Sequence, residues 1–112
     1  MSHILITGAN GFVGKALVQR LRAGGAHTLT LIDQHFDAPA PDAQTRHIIG
    51  GFGTPSVLDA ALVQPADVVF HLASVPGALA EREAALGYEV NLLSTLALAQ
   101  RLAQQARVAP AA

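Results

Sequence analysis

The segment Thr7-Gly8-Ala9-Asn10-Gly11-Phe12-Val13-Gly14 constrains this chain more than any other, because its glycines fall where one periodicity gives way to another. Before it, residues 3–7 form an apolar, β-branched run, the pattern of a strand buried on both faces. After it, Val13, Ala16, Leu17, Arg20 and Leu21 recur at helical spacing as far as Gly24-Gly25, a natural C-terminal stop. In such a strand–turn–helix unit Gly8 permits the tight turn, Gly11 lets backbone approach a ligand, and Gly14 lets the helix press on the strand. The unpaired N–H groups and the dipole of the helix N-terminus then face an anion such as a pyrophosphate.

The remaining pattern agrees with that unit. A second apolar run at 28–32 closes on Asp33, and residues 34–44, with Pro39 and Pro41, read as a loop. A third strand covers 47–49 and ends at Gly50-Gly51. Thr54 then reads as an N-cap with Pro55 at the first helical position, and Pro65 closes that helix. A fourth strand covers 67–73, and the proline-free, Ala/Leu-rich stretch 79–106 reads as one helix about 40 Å long. Gly87 is its weak point. Continuously apolar strands alternating with helices predict a parallel sheet covered on both faces. With right-handed crossovers this gives an α/β, three-layer Rossmann half with strand order 3-2-1-4, in one domain spanning residues 1–112.

Asp33 lies nineteen residues past Gly14, at the end of strand 2. There an acid can accept hydrogen bonds from the adenosine ribose hydroxyls and repel a 2′-phosphate, which selects NAD over NADP. The bland alternative is a strand–helix turn followed by an ordinary surface aspartate. A P-loop is excluded by spacing: it would need Gly at Ala9 and Ser or Thr at Ala16.

Composition removes other classes. Hydrophobic residues make up 51% and charged residues 13%, a globular rather than a disordered balance. A net charge of −1 supplies no basic field for nucleic acid. There is no cysteine, and the five histidines lack the i, i+4 pairing of a helical zinc site, so no metal is expected. The first apolar run is too short for a signal-peptide core, and Glu81, Arg82, Glu83, Glu89 and Arg101 interrupt the Ala/Leu-rich tail. These features lead to the expectation of a cytoplasmic protein outside the membrane.

The spacing Gly8-x-x-Gly11-x-x-Gly14 resembles the short-chain dehydrogenase/reductase superfamily, and Thr7 to Gly14 resembles its extended branch, the NAD-dependent epimerase/dehydratases. Asp67-Val68-Val69-Phe70-His71-Leu72-Ala73-Ser74 and Val90-Asn91 fit the same branch. The resemblance implies that Leu72, Ala73 and Ser74 run along the adenosine and ribose side of the cofactor, and that Asn91 supports the active site from beneath. His71 reads more readily as a core histidine than as a catalytic one. Within the branch, Gly77-Ala78-Leu79-Ala80-Glu81 and Leu86 to Leu92 resemble sugar-acid dehydrogenases of the D-erythronate type. Substrate contacts are then expected from Ser74 to Gly77, unless Pro76-Gly77 is only a turn.

Two departures qualify the resemblance. The family's Gly-Asp after strand 3 is here Gly50-Gly51-Phe52, leaving Gly51 in the acid's place and the Phe52 N–H to meet the adenine. The family's Tyr-x-x-x-Lys is not among these residues: four places after Tyr88 stands Leu92, and Lys15 is in the glycine motif. The expected cofactor-binding set is therefore Gly8, Asn10, Gly11, Phe12, Val13, Gly14, Asp33, Gly51, Phe52, Leu72, Ala73, Ser74 and Asn91, with no catalytic residue. The resemblance implies a sugar substrate for the whole protein and a homodimer through the long helix, whose apolar residues occupy more than one face. A non-catalytic NAD-sensing or protein-binding module is the alternative.

Overall fold

The computed structural model describes residues 2–74 and 82–108. Its elements are β1 (Ser2–Thr7), α1 (Phe12–Gly24), β2 (His27–Asp33), β3 (Thr45–Ile49), α2 (Pro55–Ala61) and β4 (Val68–His71), followed by α3 (Ala84–Tyr88), a π-helical segment (Glu89–Ser94) and α4 (Thr95–Val108). The strands form one parallel sheet in the order β3-β2-β1-β4. The chain steps outward from β1 to β3, then returns to place β4 on the other side of β1. That reversal opens a crevice at the carboxyl ends of the strands.

Alternate residues of each strand feed two different cores, which is why β1 and β2 read as continuously apolar. Leu5 and Ile32 face Val57, Leu58 and Ala61 of α2 and Leu98 of α4. Ile4, Ile6, Leu29 and Leu31 face the opposite layer, where Leu17, Val18 and Leu21 of α1 cover them. Gly25, at φ 71°, ends α1 in the left-handed conformation and donates its N–H to the Arg22 carbonyl at 3.1 Å. Among the buried polar residues of this sheet, His3 meets Thr28 Oγ1 at 2.8 Å and Thr30 Oγ1 at 3.1 Å.

Several boundaries differ from the sequence reading. β3 starts two residues earlier, at Thr45. β4 covers only Val68–His71, and its flanks add side-chain bonds to β1, although the Asp67 and Leu72 N–H groups still reach the His3 and Thr7 carbonyls at 2.8 and 3.1 Å. Asp67 Oδ2 accepts the His3 N–H at 2.7 Å, while Thr7 Oγ1 accepts the Ala73 N–H at 3.3 Å and shares the Leu72 N–H, at 3.1 Å, with the Thr7 carbonyl. Pro55 holds the first turn of α2 as expected, but Thr54 makes no side-chain cap. The single helix expected over 79–106 is three pieces where described, with a π-helical insertion at its centre; residues 79–81 and the Pro76-Gly77 turn lie outside the described residues. Side-chain periodicity shows which faces are apolar and is blind to one added residue in the backbone ladder.

Candidate functional site

Four strand ends converge on one cleft of about 350 Å³. Its walls are Gly8 and Gly11 after β1, Ile32, Asp33 and Gln34 at the end of β2, Gly50 and Phe52 after β3, Leu72, Ala73 and Ser74 after β4, and Val90 of the π-helical segment. The floor is the glycine turn. Gly8 has φ 68°, and its N–H reaches the Ile32 carbonyl at 2.9 Å, which ties the turn to β2. A Cβ on Gly8 would stand 2.7 Å from the Ala73 nitrogen, so this turn and the chain leaving β4 approach more closely than any side chain permits.

Gly14 answers a different demand. A Cβ there would lie 2.4 Å from the Gly8 carbonyl oxygen and 2.7 Å from that of Ala9, so the first turn of α1 sits directly on the loop. Gly11 is the N-cap, extended at φ −73° and ψ 174°, and makes no side-chain cap bond. The first intrahelical bond runs from the Lys15 N–H to the Gly11 carbonyl at 2.9 Å. The N–H groups of Phe12, Val13 and Gly14 therefore precede the helical ladder. The Phe12 side chain is 95% exposed, so this residue and Val13, whose side chain is also exposed, can serve a cleft ligand through backbone alone.

Asp33 is oriented by two backbone donors. Its Oδ2 accepts the Asn10 N–H at 2.9 Å and its Oδ1 accepts the Gln34 N–H at 2.7 Å. Two oxygens offer about four acceptor positions, so capacity remains for a pair of hydroxyls. The Asn10 side chain turns away from the cleft toward Asp37, donating from Nδ2 at 3.4 Å and accepting the Asp37 N–H at 3.2 Å.

At the β4 end the hydrogen bonds assign a tautomer. Thr7 Oγ1 accepts two N–H bonds, from Leu72 and Ala73, which fills a hydroxyl's acceptor capacity. Its proton must then go to His71 Nδ1 at 2.6 Å, leaving the His71 proton on Nε2, which donates to Thr95 Oγ1 at 3.0 Å. Burial pushes the His71 pKa below its ordinary value, in keeping with a neutral ring. His71 also meets the edge of buried Phe52 at 4.6 Å between ring centres. It thus joins β1 and β4 to α4, a structural role; it does so as an exposed residue at the end of β4, so the expected core histidine is instead a histidine of the rim.

The expected residues do not all share one place. Gly8, Gly11, Asp33, Phe52, Leu72, Ala73 and Ser74 line the cleft. Gly51 is set back: a Cβ on it would meet Thr54 Oγ1 at 3.2 Å, and its neighbour Gly50 takes the lining position. Asn91 borders an adjoining cavity of about 250 Å³ together with His71, Ser74 and Thr95. Ile32, Gln34, Gly50 and Val90 line the cleft without belonging to the expected cofactor-binding set, and Thr7 and Thr95, which hold His71, were likewise outside it. Their one available signal was position, since each adjoins a strand end or the helix asparagine.

The comparisons with known proteins agree with this geometry. The model of the "NAD dependent epimerase/dehydratase family" matches residues 4–109. The D-erythronate dehydrogenase of Haemophilus influenzae is 36% identical over 96 residues, covering 82% of this chain and 30% of that protein. The enzyme of the same name from Cupriavidus necator is 34% identical over 119 residues, covering 95% of this chain and 37% of that protein. The chain thus spans about a third of the length of these curated relatives. Among solved structures, WbmF of Bordetella bronchiseptica in complex with NAD+ is similar with a TM-score of 0.78 and 29% identity, covering 90% of this chain and 32% of that one. With the glycine turn, the 3-2-1-4 sheet and a match that runs nearly end to end, this chain belongs to the NAD-dependent epimerase/dehydratase family.

Proposed function

We propose that residues 1–112 form one dinucleotide-binding half-domain whose cleft takes NAD(H). The observation that carries this reading is the meeting of the glycine turn with the Asp33 carboxylate in one cleft, an anion-accepting helix start beside a hydroxyl-accepting acid. The close approaches at Gly8 and Gly14 supply a cradle that a Cβ would fill. The pyrophosphate sits over Gly11, Phe12, Val13 and Gly14, the adenosine ribose on Asp33, and the adenine against Gly50, Gly51 and Phe52. Leu72, Ala73 and Ser74 flank the ribose side, and Asn91 stands behind the reacting end. When bound, the cofactor supplies hydride transfer.

The whole protein is a dehydrogenase or epimerase of a sugar or sugar acid, and the names of its relatives favour a sugar acid such as D-erythronate. Its general acid/base lies outside these 112 residues, because Tyr88 is not followed by a lysine four places on. Calorimetric titration tests the binding step. NAD+ is expected to bind more tightly than NADP+, and Asp33→Asn to weaken NAD+ about tenfold by removing a charge-assisted acceptor. Equal affinity for the two dinucleotides would refute the role given to Asp33.

A further inference from the structure

Lys15 is the one lysine of the chain, and it lies on the first turn of α1, immediately after the glycine turn. Its ammonium is bound by the Asp37 carboxylate in an exposed ion pair. Asp37 belongs to the loop after β2 and is fixed from a second direction by the two bonds it exchanges with the Asn10 side chain. Asn10 in turn donates its backbone N–H to Asp33. The four residues form a continuous chain, Asp33–Asn10–Asp37–Lys15, that leads from the cleft wall at Asp33, where the adenosine ribose would lie, to a neighbouring cavity of about 230 Å³ bordered by Asn10, Lys15 and Asp37. His35 stands 3.4 Å from the second Asp37 oxygen. Lys15 and the Asn10 amide hold the Asp37 carboxyl below its usual range, so the anion persists at neutral pH.

We propose that Asp37 is a second specificity-determining residue for the dinucleotide, acting by neutralising Lys15. The inference rests on the reading of the cleft as an NAD site. A 2′-phosphate on the ribose would carry nearly two negative charges to this corner. Lys15, a point charge on a flexible four-carbon stem, has the chemistry to accept it. Paired with Asp37 it offers no net charge, so nothing offsets the repulsion from Asp33. NAD, which has only hydroxyls there, is indifferent to this arrangement. Asp33 thus discriminates by direct contact, and Asp37 by removing the cation that would otherwise reward the phosphate.

The test compares NAD+ and NADP+ dissociation constants at low salt and one fixed pH. The proteins are the unsubstituted chain, Asp37→Asn, and Asp37→Asn with Lys15→Met, each also in an Asp33→Asn background to remove direct repulsion. Asn at 37 keeps an amide for Asn10 while losing the charge. NADP+ is expected to tighten about tenfold in Asp37→Asn, with NAD+ unchanged within twofold, and the gain to vanish with Lys15→Met and in high salt. An unchanged NADP+ constant in Asp37→Asn, or a gain that survives Lys15→Met, overturns the inference while NAD+ still binds. A chain that binds NAD+ in none of these forms overturns the cofactor reading, and this inference with it.

Discussion

Gly14 serves by the room it leaves, whereas Gly8, at φ 68°, serves by its conformation as well. Gly14 is required because two carbonyl oxygens stand where its Cβ would go, and both belong to the loop that begins the site. Gly14→Ala is expected to destabilise the chain by about 1–3 kcal/mol, the ordinary cost of overpacking, as a lower urea midpoint with unchanged slope. Three histidines carry a second consequence at this scale. Burial lowers the pKa of His3, His47 and His71, in His3 with help from the Arg46 charge. The unfolded chain therefore binds more protons between the ordinary value of 6.5 and the lower folded values. Stability is fully present above about pH 6.5 and is lost as pH falls through the folded values. Urea midpoints measured across this range should decline on the acid side, and His71→Gln should flatten part of the decline.

At the scale of elements, the break in the long helix is the main departure from the sequence pattern. The π-helical segment ends at Ser94, against which Gly53 is pressed so closely that a Cβ would stand 2.5 Å from the Ser94 Cβ. Gly53→Ala should cost about 1–3 kcal/mol of stability. Ser94→Gly in the same chain should recover part of it, since the Ser94 Cα would still be crowded at 2.7 Å; a double-mutant cycle reads the coupling. Within the same helical stretch, apolar residues on more than one face did not single out Leu98 as the inward-facing one, and the partner of the π-helical segment's end was equally invisible in the spacing. Gly53 lies two residues before a helix with its own, separate pattern.

For the whole molecule, two features point outward. β4 pairs with β1 on one edge, and no strand among the described residues pairs with the other. Leu86, Tyr88, Leu92, Leu93 and Leu96 of the helical stretch are all exposed. Five exposed large apolar residues on one helical stretch favour association. Sedimentation should show a concentration-dependent dimer or larger species, weakened by a Leu92→Glu, Leu96→Glu double substitution with the circular dichroism unchanged. A monomer at all accessible concentrations would remove the homodimer expectation for this helix.

The strand–turn–helix start, the parallel 3-2-1-4 sheet, and the glycine–aspartate pair were all legible in the sequence by itself. They follow from local rules: two-sided burial makes strands uniformly apolar, and a tight turn with a close helix demands glycine at set intervals. What only the tertiary structure decided are the contacts between segments distant in the chain. Thr7 sets the His71 tautomer across 64 residues, Asp37 captures Lys15 across 22, and Gly53 meets the π-helical segment. No periodicity encodes such pairings, because each depends on where two separately determined backbones come to lie once the sheet has closed.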